Sequence, residues 1–147
     1  MRFIPTRIHG ILDYTVGAFL VAMPWIFGFA RGGAETWVPV VLGAGAILYS
    51  LVTSYELGLV HWLPMPIHLN LDLLSGVVLA ASPWTFAFSE YIWAPHLILG
   101  LFEVAAALMT KTTPSSVSGP SGQNEEPASG HAGRPLDILK EEKRYEA

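Results

Sequence analysis

Four long apolar stretches alternate with short polar breaks over the first 110 residues, at roughly 4–29, 37–55, 67–88 and 92–110. A helix that crosses a hydrocarbon layer needs about 20 residues at about 1.5 Å each. All four stretches are near or above that length, so the pattern predicts four transmembrane helices. The outer breaks are short: Ala30 to Thr36 (ARGGAET) joins the first pair and Ser89 to Tyr91 the second. Short connections force antiparallel neighbours, so each pair is expected to form a helical hairpin. Pro39 and Pro95 each follow a Trp by two residues, and both are expected in the first turn of their helices, where a missing N–H costs nothing.

The first stretch follows Arg2 and Arg7 and could pass for a signal peptide. It is too long and ends in PWIFGF rather than in a small-residue cleavage site. The same pattern also recurs deep in the chain. Residues 5–29 align with 64–88 at an offset of 59, with 12 of 25 positions identical. They are Pro5/Pro64, Ile8/Ile67, His9/His68, Leu12/Leu71, Asp13/Asp72, Gly17/Gly76, Leu20/Leu79, Ala22/Ala81, Pro24/Pro83, Trp25/Trp84, Phe27/Phe86 and Phe29/Phe88. Chance would supply about two, so the chain contains an internal duplication. Each unit crosses twice, so both enter the membrane from the same side as parallel repeats.

The expected layout is a first two-helix repeat at 1–56, an interfacial loop at 57–66, a second repeat at 67–111 and a disordered cytoplasmic tail at 112–147. The loop (LGLVHWLPMP) is apolar and should lie along the membrane surface. The tail is rich in Ser, Gly and Pro, and such a composition cannot build a core. Its segment Leu136–Tyr145 has the pattern of one short amphipathic helix. Arg2, Arg7 and Lys111 lie on one side and Arg31 on the other, which places both termini in the cytoplasm. Trp25, Trp37, Trp84 and Trp93 fall at the opposite interface as an aromatic belt.

Composition agrees with this reading. The chain is 52% hydrophobic and 14% charged, with a mean hydropathy of +0.44. Ten of its twenty charged residues lie in the last 36 positions. A net charge of −4 offers no basic surface for nucleic acid. The absence of cysteine excludes disulfides, thiolate metal sites and cysteine nucleophiles. No clustered nucleophile and base, and no dinucleotide or phosphate-binding motif, points to an enzyme or an organic cofactor.

Chemistry is concentrated in a few polar positions. His9–Asp13 and His68–Asp72 share an i, i+4 spacing that sets each pair on one helix face. Gly17 and Gly76 extend the same stripe, where a small residue lets a neighbouring backbone approach. Aspartates in a membrane helix are costly and need partners, and the nearest are His9 and His68. Three readings stay open: a structural pairing, a proton or cation relay, and a divalent metal site, for which the ligand types are suitable. Glu103 lies near the middle of the fourth stretch and is expected to face the interior. Pro24-Trp25 and Pro83-Trp84 should kink or end their helices, each freeing the carbonyl four residues back, that of Leu20 or Leu79. His61, His96 and His131 are unduplicated and read as ordinary loop or helix-start residues.

Ser82-Pro83-Trp84, inside a duplicated two-helix unit, resembles the SPW repeat family of bacterial integral membrane proteins. The resemblance covers about residues 5–110; the first copy reads Met23-Pro24-Trp25 and lacks the serine. It implies four helices in a bacterial plasma membrane and leaves the activity open. The expected function is therefore a non-enzymatic structural or assembly component. The alternative is a small proton, cation or metal carrier built on His9, Asp13, His68, Asp72 and Glu103. The expected partners are the lipid bilayer and either a second copy or another membrane protein.

Overall fold

The computed structural model describes residues 2–113. The expected tail, with its amphipathic segment and His131, lies almost wholly outside them. The described residues form four helices: α1 (Thr6–Ile26), α2 (Ala34–Leu51), α3 (Met65–Thr85) and α4 (Ala94–Met109). No strand occurs among them beyond two isolated bridges. Two of the helices, α2 with 18 residues and α3 with 21, are long and apolar enough to cross a membrane. α1 packs on α2 and α3 on α4, and α2 also meets α3.

The helices are shorter than the apolar stretches, for identifiable reasons. α2 stops at Leu51 because Thr53 turns away to pair with Leu63. α4 stops at Met109 because Thr110 takes an extended conformation and pairs with Ile4. These two pairings are equivalent under the duplication. Phe3 and Ile4 donate their N–H groups to Met109 O, as Trp62 and Leu63 donate to Val52 O. The chain before α1 therefore closes on α4 by hydrogen bonds, as the loop before α3 closes on α2. Phe3 and Trp62 are both exposed at this end.

One expected position is corrected. α2 begins at Ala34, so Pro39 lies inside the helix rather than in its first turn. The extra turn forms because Gly33 accepts from the N–H groups of Thr36 and Trp37, while the Thr36 hydroxyl accepts from those of Arg31 and Gly32. Pro95, by contrast, does sit in the first turn of α4.

Glycine pairs set the spacing inside each hairpin. A Cβ on Gly17 would lie 2.9 Å from Gly43 O, and one on Gly76 would lie 2.8 Å from Gly100 O. Backbone therefore packs directly on backbone at matching heights in both hairpins. These contacts align α2 with α4 at an offset of 57, not 59, so Glu103 corresponds to Ala46 and Pro39 to His96. Outside these seams the helix faces are apolar: Ile11, Val41, Leu48, Leu74, Val77, Ile98, Leu101 and Leu108 are exposed.

α1 and α3 end in the same turn. Pro24 O accepts from the N–H groups of Phe29 and Ala30, and Pro83 O from those of Phe88 and Ser89. The turn needs a left-handed residue, and Gly28 supplies it in the first repeat with φ 67°. The second repeat has Ala87 there, with φ 55°. An L-residue pays about 1 kcal/mol in this region. Ala87→Gly is expected to raise unfolding stability in detergent by about 0.5–1 kcal/mol, read from a denaturant midpoint; an unchanged midpoint would show that the turn is unstrained.

Candidate functional site

His9 and Asp13 lie on α1, and His68 and Asp72 at the same height on α3. Pro5 and Pro64 start these helices with φ of −63° and −62°, which fixes the entry of both chains alike. The two stripes face each other. His9 Nε2 lies 2.9 Å from Asp72 Oδ2 and 3.4 Å from Asp13 Oδ1. His68 Nε2 lies 3.1 Å from Asp13 Oδ2 and 3.1 Å from Asp72 Oδ2. The four groups thus form a ring in which every imidazole touches both carboxylates. The i, i+4 contacts expected from spacing are present, but the shortest distance runs between the repeats. Side-chain exposure is 2% for His9, 0% for His68 and 8% for each aspartate.

Sequence reasoning missed the residues that hold this ring. Thr53 Oγ1 lies 2.9 Å from His68 Nδ1, and Thr110 Oγ1 lies 3.0 Å from His9 Nδ1. Both threonines are fully buried just beyond the ends of α2 and α4. Each hydroxyl donates to the carbonyl four residues back, that of Tyr49 at 2.7 Å and of Ala106 at 2.6 Å. They are equivalent at the offset of 57, and that identity is the signal that could have found them. Tyr49 donates to Asp72 Oδ1 at 2.5 Å, and Ser50 reaches Asp13 Oδ2 at 3.4 Å. The equivalents of these two are Ala106 and Ala107, so the carboxylates lean on α2 alone.

Tyr55 and Tyr49 wall the ring at His68, with ring centroids 5.7 and 5.1 Å away. Gly10 leaves room for the Tyr55 ring, which a Cβ there would strike. Burial pushes the Tyr55 phenol above its ordinary pKa, so it stays neutral.

Glu103 is half-buried on α4 and accepts from Ser75 Oγ at 3.4 Å. It does not join the ring. A cavity with about 20 Å³ open to the centre of a water molecule separates them, lined by His9, Asp13, Tyr49, Asp72 and Glu103 among others. That space suits a single water or ion.

The Pro-Trp positions lie at the opposite helix ends and touch none of these groups. Pro24 and Pro83 are buried, while Trp25 and Trp84 are exposed. Proline at 83 leaves the Leu79 carbonyl without its helical donor. Ser82 Oγ donates to that carbonyl at 2.7 Å, which gives the serine of the motif a structural task. Pro39 likewise frees the Glu35 carbonyl, and His96 Nε2 donates to it at 3.0 Å. His96 is a helix-start residue, as expected, but it is fully buried between Phe29 and Phe88, at 5.5 and 5.0 Å. The duplicated phenylalanines thus grip one unduplicated histidine that mends a helix of the other hairpin.

A family model described as SPW repeat domain matches residues 7–110, which is most of the chain. No curated protein and no solved structure matches.

Proposed function

We propose that this chain, which belongs to the SPW repeat family, is a non-enzymatic structural component of a membrane, with a polar ring that fastens two membrane-spanning hairpins together. The observation that carries the reading is the ring itself: each repeat contributes one His and one Asp, and each His contacts the carboxylate of the other repeat. Where lipid surrounds the helices, apolar burial gives them little reason to associate, and interhelical hydrogen bonds and close backbone packing take over. Both devices are present here in duplicate.

In this reading all four helices span a bacterial plasma membrane, with both termini in the cytoplasm. The exposed apolar faces meet lipid acyl chains, or a second copy or other membrane protein at the same depth. Sixteen-residue α4 rises about 24 Å, enough with the interfacial Trp93 at its start. Single cysteines at Glu90 and Thr113 test the topology. A membrane-impermeant label should reach the first in intact cells and the second only after permeabilisation; labelling of both in intact cells would refute it.

The cavity beside Glu103 supports a second reading, a small proton or cation carrier in which the ring and Glu103 exchange a proton or ion. Its expected result is flux into proteoliposomes by wild type that Asp13→Asn/Asp72→Asn abolishes. Absence of flux in wild type leaves the fastener reading alone.

A further inference from the structure

The ring poses a proton-counting problem. A threonine hydroxyl carries one hydrogen, and Thr53 and Thr110 use theirs on the carbonyls of Tyr49 and Ala106. Each hydroxyl oxygen can then only accept from the histidine at 2.9 or 3.0 Å, so Nδ1 of His68 and of His9 carries hydrogen. In a neutral imidazole the proton at Nδ1 leaves Nε2 with a bare lone pair. Both Nε2 atoms therefore aim lone pairs at carboxylate oxygens 2.9–3.4 Å away. Four such contacts repel unless something positive sits among them. Two extra protons would do it, and so would one dication.

The geometry points to the dication: we infer that His9 Nε2, His68 Nε2 and one oxygen each of Asp13 and Asp72 hold a divalent transition-metal ion, zinc by its chemistry. This deepens the fastener reading, on which it rests. Tetrahedral zinc with ligands at about 2.0–2.1 Å has ligand–ligand edges of about 3.3–3.4 Å. The N–O edges here are 2.9, 3.1, 3.1 and 3.4 Å, and one candidate ligand atom from each of the four residues falls within 4.8 Å of the others. Small outward shifts of the side chains complete the tetrahedron. The surroundings are those of a metal site: each ligating histidine donates its other N–H to a fixed acceptor. Tyr49 occupies Asp72 Oδ1 and leaves Oδ2 for the ion. A dication with two carboxylates and two neutral imidazoles has no net charge, as a buried site requires. Imidazole donors and four-coordination favour zinc-like ions over magnesium or calcium, which want six or more oxygens.

The test uses the full chain in detergent, stripped with a chelator and titrated with Zn²⁺ and Co²⁺. One ion should bind per chain, Co²⁺ should give the intense visible bands of a tetrahedral centre, and Zn²⁺ should raise the thermal midpoint by mass action. His9→Ala/His68→Ala should abolish binding. Thr53→Val/Thr110→Val keeps every ligand and should weaken affinity about 10–100-fold. Failure of wild type to take up stoichiometric Zn²⁺, or unchanged uptake without His9 and His68, would overturn the inference. If uptake fails while His9 and Asp72 still stabilise each other in the metal-free protein, the metal is lost and the fastener remains, held by two protons instead. If that coupling is also missing, both fall.

Discussion

Asp72→Ala is expected to lower unfolding stability in detergent by about 3–5 kcal/mol, the range for breaking a buried charged pair by removing one member. Asp72 is the busiest group in the site: it meets His9 at 2.9 Å, His68 at 3.1 Å and Tyr49 at 2.5 Å. Its removal leaves two buried imidazoles to share one carboxylate and strands the Tyr49 hydroxyl. His9→Ala should cost a similar amount. In a double-mutant cycle, the His9/Asp72 combination should fall short of the sum of the singles by about 0.5–3 kcal/mol, as for groups in direct contact. The coupling of His9 with Asp13, 3.4 Å away on the same helix, should be the smaller. That ordering separates a fastener between repeats from a local i, i+4 pair. Additive losses for His9 and Asp72 would remove the fastener, and stronger coupling of His9 to Asp13 would confine the interaction to single helices.

The same comparison marks how far the sequence could be read. The duplication, the two hairpins and the shared height of His9, Asp13, His68 and Asp72 were legible because identity survives at one fixed offset. Helix ends were less so. Residues 52–55 and 110 continue an apolar pattern, and only their pairing with Leu63 and Ile4, far away in sequence, ends the helices. Partner choice in the ring was hidden for a related reason. Spacing along one helix shows which side chains share a face, not which helix that face meets. Thr53 and Thr110 went unseen because the second unit is two residues shorter between its helices, so their equivalence drops out of the 59-residue register. His96 was hidden because its partner, the carbonyl freed by Pro39, exists only once α2 starts three residues earlier than its apolar stretch. Glu103 stood out by depth alone, and its separation from the ring by a cavity is a tertiary fact that no spacing encodes.

Gly100→Leu is expected to prevent α3 and α4 from closing into a hairpin, and Gly100→Ala to cost about 1–3 kcal/mol, the usual range for overpacking. A Cβ at this position would lie 2.5 Å from both Gly76 O and Ala80 N. Both atoms belong to the backbone, so neither can rotate aside, and even a methyl group must push the helices apart. Gly43 occupies the equivalent seam, 2.5 Å from Gly17 O, and should respond alike. Separation of the helices would also carry Thr110 away from His9 and loosen the ring, so the loss should exceed the steric term alone. Gly45 is the internal control: it lies in the same helix as Gly43, but a Cβ there meets nothing within 4 Å. Gly45→Ala should therefore be neutral or gain about 0.5–1 kcal/mol from helix propensity. Denaturant titration in detergent reads all three variants. Equal tolerance at Gly100 and Gly45 would mean that the hairpin is not held by backbone contact, and the duplicated glycine seam would lose its role in setting the height at which the two His–Asp stripes meet.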